Sequence, residues 1–510
     1  MKKHLLLLPI SLLITSNSYA QSYIADNLST APTVNIGGFV NANAGFRKED
    51  AAFKQDRLPD SQFNTGTGTY NKMTNNPDFT NEAEIHVKVA GINEFGIKYG
   101  AIVELEANTS TSARNEGFNA DKAFLFTESK VGKLELGNNS AVNQRMRVGP
   151  ETFARGAGGI NGKYLEYINL PMLADSTQVV NGGGTAIGNC NGYRVEANGS
   201  ITSNPGSDCN RVKLPRFILI PQSPIAHGGY AKGFYNRASD NEYSNSSEAT
   251  NFGFNKNSSA IKDGSFGTLA DASKVNYYTP RIGGWQIGVS FAPDTGSNGT
   301  SASISGNNSG DIKQAISYGI NYSDNLGNLG LALSATGESG KFEQNYNAST
   351  KRNNLKSYDA GVMATYFGFT IGASYGNWGD SLQPKSGIYS CDYNNALTIA
   401  NQDCAGKDEK KFSNAKYYTA GAAYQFGPFA TSLTYLNSEF QANQYQTTSL
   451  GVDYKMAKGL MPYAEITKYK FESNQPKASN VSESSTSSNS TRQLKDNSGY
   501  VALVGVLLSF

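Results

Sequence analysis

The stretch Gly284–Pro293, "GWQIGVSFAP", decides the fold. Trp285, Ile287, Val289 and Phe291 alternate with Gln286, Gly288 and Ser290, a period of two that places apolar side chains on one face of a strand and small or polar ones on the other. The pattern recurs at Ile316–Tyr322, Phe369–Tyr375 and Leu450–Met456. Marking each such segment predicts sixteen strands. The first eight fall at 34–46, 80–92, 95–107, 121–130, 132–138, 273–280, 284–292 and 313–323. The other eight fall at 329–338, 357–367, 369–378, 415–426, 429–439, 447–457, 461–472 and 498–510. The fourth segment is readable with either face outward.

The connections between the segments are of two kinds. Short ones, such as Asn93-Glu94, Gly368 and Gly427-Pro428, alternate with long ones, such as 47–79, 139–272, 379–414 and 473–497. Tight turns at one end and long loops at the other are the signature of a transmembrane antiparallel β-barrel. Strands of about 9 to 11 residues suffice to cross a bilayer, and closure pairs every backbone group inside it. In that setting the apolar face meets lipid and the Gly/Ser/Asn/Lys/Glu face meets water. A chain with mean hydropathy -0.44 can therefore live in a membrane.

Residues 1–20 carry Lys2 and Lys3, then the apolar run Leu5–Ile14, then Ser18-Tyr19-Ala20. They read as a cleaved signal peptide, followed by a periplasmic segment at 21–33 and the barrel at 34–510. Two of the 44 lysines and arginines leave with the signal, so the mature chain balances 42 basic against 42 acidic residues. Nucleic acid, which requires a basic surface, is excluded as a partner on that ground. The cysteines form two local pairs, Cys190 with Cys209 and Cys391 with Cys404, in Asn/Gly/Ser-rich sequence. Exported loops of this kind suit disulfides, although four cysteines allow three connectivities, and the spacings do not suit a metal site. Three histidines and no phosphate-cradling motif give catalysis and cofactors no foothold.

The final stretch "YVALVGVLLSF" puts Tyr500, Ala502, Val504, Val506, Leu508 and Phe510 on one face. It resembles the C-terminal assembly signal of bacterial outer-membrane barrels, which implies the barrel-assembly machinery as a partner. "VNYYTPRIGGWQIGVSFAP", Val275–Pro293, resembles the sixth-to-seventh strand hairpin of Gram-negative general porins of the alphaproteobacterial type, carried by Tyr278, Pro280, Gly284, Gly288, Ser290 and Pro293. "GKLELGNN", Gly132–Asn139, is similar to the strand that precedes the family's inward-folded third loop. The resemblance implies a homotrimer of sixteen-stranded barrels, each passing small hydrophilic solutes and ions across the bacterial outer membrane.

If the third loop folds inward as in that family, it brings Arg145, Arg147, Glu151 and Arg155 to the constriction, where charge biases ion passage. Alternation points Lys88, Lys98, Glu104, Lys133 and Glu135 into the lumen, because a basic side chain facing mid-bilayer lipid costs on the order of 2 to 4 kcal/mol. Tyr277, Tyr278, Tyr417, Tyr418 and Phe426, near strand ends, are expected at the membrane interfaces. The third loop, 139–272, which contains the apolar run "RFILIP", Arg216–Pro221, exceeds what a pore can hold, and the part left outside is open to capping the outer mouth, packing at a trimer interface or forming a small subdomain. A substrate-selective channel and a surface-interaction barrel whose long loops bind partners are the alternative functions.

Overall fold

The computed structural model describes residues 30–49, 77–107, 119–168, 194–195, 201–202, 217–224, 272–295, 312–342, 353–382, 389–390, 410–411, 415–440, 443–472 and 496–510. Sixteen strands close into one antiparallel barrel. The first five are β1 (Thr33–Glu49), β2 (Asp78–Ile92), β3 (Lys98–Glu106), β4 (Asn119–Ser129) and β5 (Gly132–Asn138). Then come β6 (Ser273–Tyr278), β7 (Trp285–Asp294), β8 (Ile312–Leu326), β9 (Leu329–Phe342), β10 (Leu355–Tyr366) and β11 (Phe369–Asn377). The last five are β12 (Ala415–Phe426), β13 (Phe429–Phe440), β14 (Asn443–Tyr454), β15 (Leu460–Glu472) and β16 (Asp496–Ser509).

Every strand pairs with its neighbours in sequence, and β1 closes on β16 with Phe39 opposite Ser509 and Glu49 opposite Gly499. Gly38 and Phe510 exchange backbone hydrogen bonds, each 3.1 Å, so the last residue of the chain completes the seam. An unpaired edge in hydrocarbon would leave backbone groups without partners, at several kcal/mol each. Tyr500, Val504, Val506, Leu508 and Phe510 are exposed on the outer face of β16, while Val501, Leu503 and Leu507 are buried inside.

Three details differ from the sequence expectation. β3 begins at Lys98 and not at 95, because the Asn93 side-chain oxygen accepts from the backbone N–H of Phe95 (3.0 Å) and Ile97 (2.9 Å) and holds them in the turn. β14 begins at Asn443 and not at 447, so the long-loop end carries one short connection, 441–442. On β4, Phe124 and Phe126 are buried inward and Leu125 is exposed outward, which settles the face left open by the sequence.

Aromatic side chains ring the outside near both ends. At the turn end, Phe369 stacks on Tyr424 (4.1 Å), and Tyr424, Phe426, Phe429 and Tyr454 continue the series. At the loop end Tyr358 meets Tyr375 (6.3 Å) and Tyr418 meets Tyr435 (6.2 Å). Tyr358 and Tyr366, both exposed, are eight residues apart on β10. At about 3.3 Å per residue and a tilt of roughly 40°, that separation spans ~20 Å of height, close to the apolar band of a transmembrane barrel. Tyr278 and Tyr417 correct the sequence expectation: both are buried on the inner face, not at an interface, because each falls on the inward parity of its strand and meets a loop arginine.

Candidate pore and the loop folded into it

Irregular backbone inside a barrel must find partners for its N–H groups. After β5 the chain turns inward at Asn139, forms the short helix α1 (Val142–Arg145) and lies against the inner wall as far as Ile168. Three serines receive it first. Ser290 on β7, Ser317 on β8 and Ser334 on β9 accept from the backbone N–H of Val142 (2.8 Å), Asn143 (2.7 Å) and Val148 (2.9 Å). Two buried carboxylates receive it later: Asp453 on β14 accepts from the N–H of Arg155 (2.9 Å) and Gly156 (3.0 Å), and Glu465 on β15 from that of Gly159 (3.1 Å). Beyond the seam, the Asn41 side chain donates to the carbonyl of Gly156 (3.1 Å), the Tyr167 hydroxyl donates to Asn43 (2.6 Å) and Lys163 pairs with Glu82.

The wall is thinned where the loop touches it. A methyl group on Gly361 of β10 would stand 1.7 Å from the Val148 carbonyl oxygen, and one on Gly421 of β12 would stand 2.6 Å from the Pro150 side chain. Gly288 and Gly319 face each other across β7 and β8 beneath Val142 and Met146. Glycine thus recurs at inward positions that would otherwise carry a side chain into the loop's path. These glycines, together with Asp359, Glu338, Asp453 and Glu465, are what sequence reasoning missed. The available signal was the alternation itself, since Gly288, Gly319, Gly372 and Gly451 all stand on the small face of their strands.

The structure brings three of the four loop residues singled out from sequence into ion pairs or carboxylate networks. Arg145 meets Glu135 (2.6 Å), which also takes Lys133 (2.7 Å), and its guanidinium lies 5.2 Å from the Tyr278 ring. Arg147 bridges Asp359 (3.2 Å) and Glu151 (3.0 Å), while the Ser374 hydroxyl donates to Glu151 (2.7 Å) and Tyr417 to Asp359. Burial opposes the charge on Arg147, yet the acids facing it, Asp359 foremost, hold its pKa above the usual arginine value. Burial pushes the Glu151 carboxyl up, with Arg147 and Ser374 pulling against it. Arg155 differs: its side chain is half-buried and makes no ion pair among the described residues, and the acid that faces it is Asp453, which also accepts from its backbone N–H.

The wall of β2 to β5 carries the remaining predicted charges. His86, Lys88, Lys98, Glu104 and Lys122 point inward with Lys133 and Glu135. Lys122 pairs with Glu104, and Lys98 lies 3.9 Å from Glu128 with both side chains about a third exposed. Lys88 is buried, has Glu128 as its acidic neighbour and lies 6.0 Å from the Phe126 ring. Glu84, His86 and Glu104 offer ligand atoms within 4.8 Å of one another, but Lys122 already supplies positive charge to Glu104, so a metal ion would have to displace it.

A second piece of the third loop also enters the barrel. Phe217, Ile218 and Leu219 are buried; Phe217 packs edge-on to Phe471 (4.9 Å), and the Ile218 carbonyl accepts from Ser438 (2.7 Å). Further on, the Gln222 carbonyl accepts from the Trp378 indole (2.7 Å), and Ser223 donates to Glu338 (2.8 Å). The described part of the apolar run therefore lies at the loop-end mouth over β9 to β15. Cys190, Cys209, Cys391 and Cys404, the 1–20 leader and most of 21–33 lie outside the described residues.

A closed sixteen-stranded antiparallel barrel, apolar outside and with a loop drawn inside, defines a transmembrane barrel of the pore-forming class. A profile described as Gram-negative porin matches residues 10–211 and 227–474, and the chain belongs to that family. An uncharacterized protein of Rickettsia conorii is 27% identical over 84% of this chain and 93% of its own length. One of Rickettsia typhi is 31% identical over 47% of this chain and 57% of its own length. Among solved structures, an anion-selective porin from Comamonas acidovorans aligns at 14% identity and a TM-score of 0.45, covering 94% of this chain and all of that one. A mutant of the Rh. blastica porin aligns at 9% identity with the same TM-score and the same coverage.

Proposed function

We propose that the protein forms a water-filled channel in the outer membrane for passive diffusion of small hydrophilic solutes and ions. What carries this is the uneven inner wall. The loop covers the wall from β7 through β15 and on to the start of the chain, whereas inward charges on β2 to β5, such as Lys98, Glu128 and Lys122, stay partly exposed. Exposure of side chains that point inward requires water-sized space beside them. The aqueous path then runs along the β2 to β5 wall, past the partly exposed Lys98, Glu128 and Lys122. The family supports export through a cleaved leader, insertion by the barrel-assembly machinery through the β16 face, and a homotrimer.

Single-channel recording in a planar bilayer tests this. Ohmic steps that close in thirds support an open trimeric porin. A folded barrel without conductance would mean that the third loop plugs the pore, and the surface-interaction alternative would take its place.

A further inference from the structure

A furrow of about 570 Å³ lies on the outside of the barrel at the loop end of β1, β14, β15 and β16. Its floor is apolar, with Leu450 and Ile466 exposed. Above them runs one lateral row set by the strand register: Lys48 opposite Tyr500, Tyr500 opposite Lys468, and Lys468 opposite Thr448. Thr448 is in turn opposite Tyr435 of the loop-end aromatic belt, which puts the row near the membrane interface.

The two lysines are exposed, and Lys48 lies 5.9 Å from the Tyr500 ring. Neither has an acidic partner among the described residues, whereas Lys416 and Lys470, also outward, pair with Glu439 (3.5 Å) and Glu472 (2.5 Å). They are separated by two strand spacings, about 10 Å. Two uncompensated positive charges at the upper edge of an apolar furrow match a ligand with a phosphate above and a hydrocarbon chain below. Lysine near an anionic membrane surface is attracted to it, and its cost falls when an anion lies alongside.

We propose that this furrow binds one anionic membrane lipid, its phosphate between Lys48 and Lys468 and its acyl chain along Leu450 and Ile466. The binding depends on the barrel's seat in a membrane and not on conduction, so its test is independent of channel activity. The purified full-length protein in neutral detergent is titrated with phosphatidylglycerol or phosphatidylcholine, and bound lipid is counted by native mass spectrometry. We expect one phosphatidylglycerol per chain, preferred on the order of thirtyfold over phosphatidylcholine for two lysines. Lys48→Gln with Lys468→Gln should remove the preference, and Lys48→Arg with Lys468→Arg should keep it. Heat-dependent electrophoretic mobility checks that each variant is a folded barrel.

Equal binding of the two lipids by the wild type would overturn the proposal, as would a preference that survives the glutamine pair. Inorganic phosphate displacing the lipid at comparable concentration would also overturn it, since the chain would then contribute nothing. Concentration-dependent self-association that the glutamine pair abolishes would assign the furrow to a second copy instead.

Discussion

The two parts of the inner wall are built from different amino acids for different neighbours. From β7 to β14 the wall offers Gly288, Ser290, Ser317, Gly319, Ser334, Gly361 and Gly421, because the loop backbone must come close and needs hydroxyl acceptors. From β2 to β5 it offers Lys98, Lys122, Glu128 and Lys133, long charged side chains that stay partly exposed. Small residues mark the wall that is covered, and long charges mark the wall that is bare. Where a charge does occur on the covered side, as at Asp359, Asp453 and Glu465, it holds the loop and is buried.

The largest way to break this contrast is Arg147→Met. It leaves Asp359 and Glu151 buried without a counter-charge, and removing one partner of such a pair costs about 3 to 5 kcal/mol. A lowered midpoint of urea unfolding in detergent, followed by electrophoretic mobility, checks it. Gly361→Ala should come next, at about 1 to 3 kcal/mol, because a side chain there collides with the Val148 carbonyl. Its second sign would be added noise in the open-channel current as the loop lifts from the wall.

Arg155→Glu sharpens the contrast without breaking the fold. Its side chain is half-buried and faces Asp453, so placing a second carboxylate there should cost about 1 kcal/mol while the reversal potential in a salt gradient moves toward cation preference. Lys98→Gln is the smallest: its pair with Glu128 is long and partly exposed, worth no more than about 0.5 kcal/mol. The reversal potential should move the same way, but less than for Arg155→Glu.

The barrel was legible because a period of two survives in every strand that faces lipid on one side. Trp285, Ile287, Val289 and Phe291 are all exposed on the outer face of β7, as the alternation requires. Parity also puts Tyr278 and Tyr417 inward, where they are buried; the expectation of an interface there came from composition. An aromatic near a strand end suggests an interface; its position on the strand decides. That the third loop turns inward was expected from the family resemblance, but its path along the wall was not legible, since it is set by contacts such as Arg155 N–H to Asp453, 298 residues apart in the chain. Nothing local in the sequence encodes such a pairing.

Cysteine accessibility tests the central claim most directly. Lys98→Cys on the bare wall and Ser449→Cys on the covered wall are each placed in the full-length protein. Both are then exposed to a charged methanethiosulfonate reagent during single-channel recording, with the wild type as control for its own cysteines. The account predicts stepwise loss of current for Lys98→Cys and none for Ser449→Cys. Modification of Ser449→Cys at the same rate, with Lys98→Cys silent, would put the water path on the other side and contradict it.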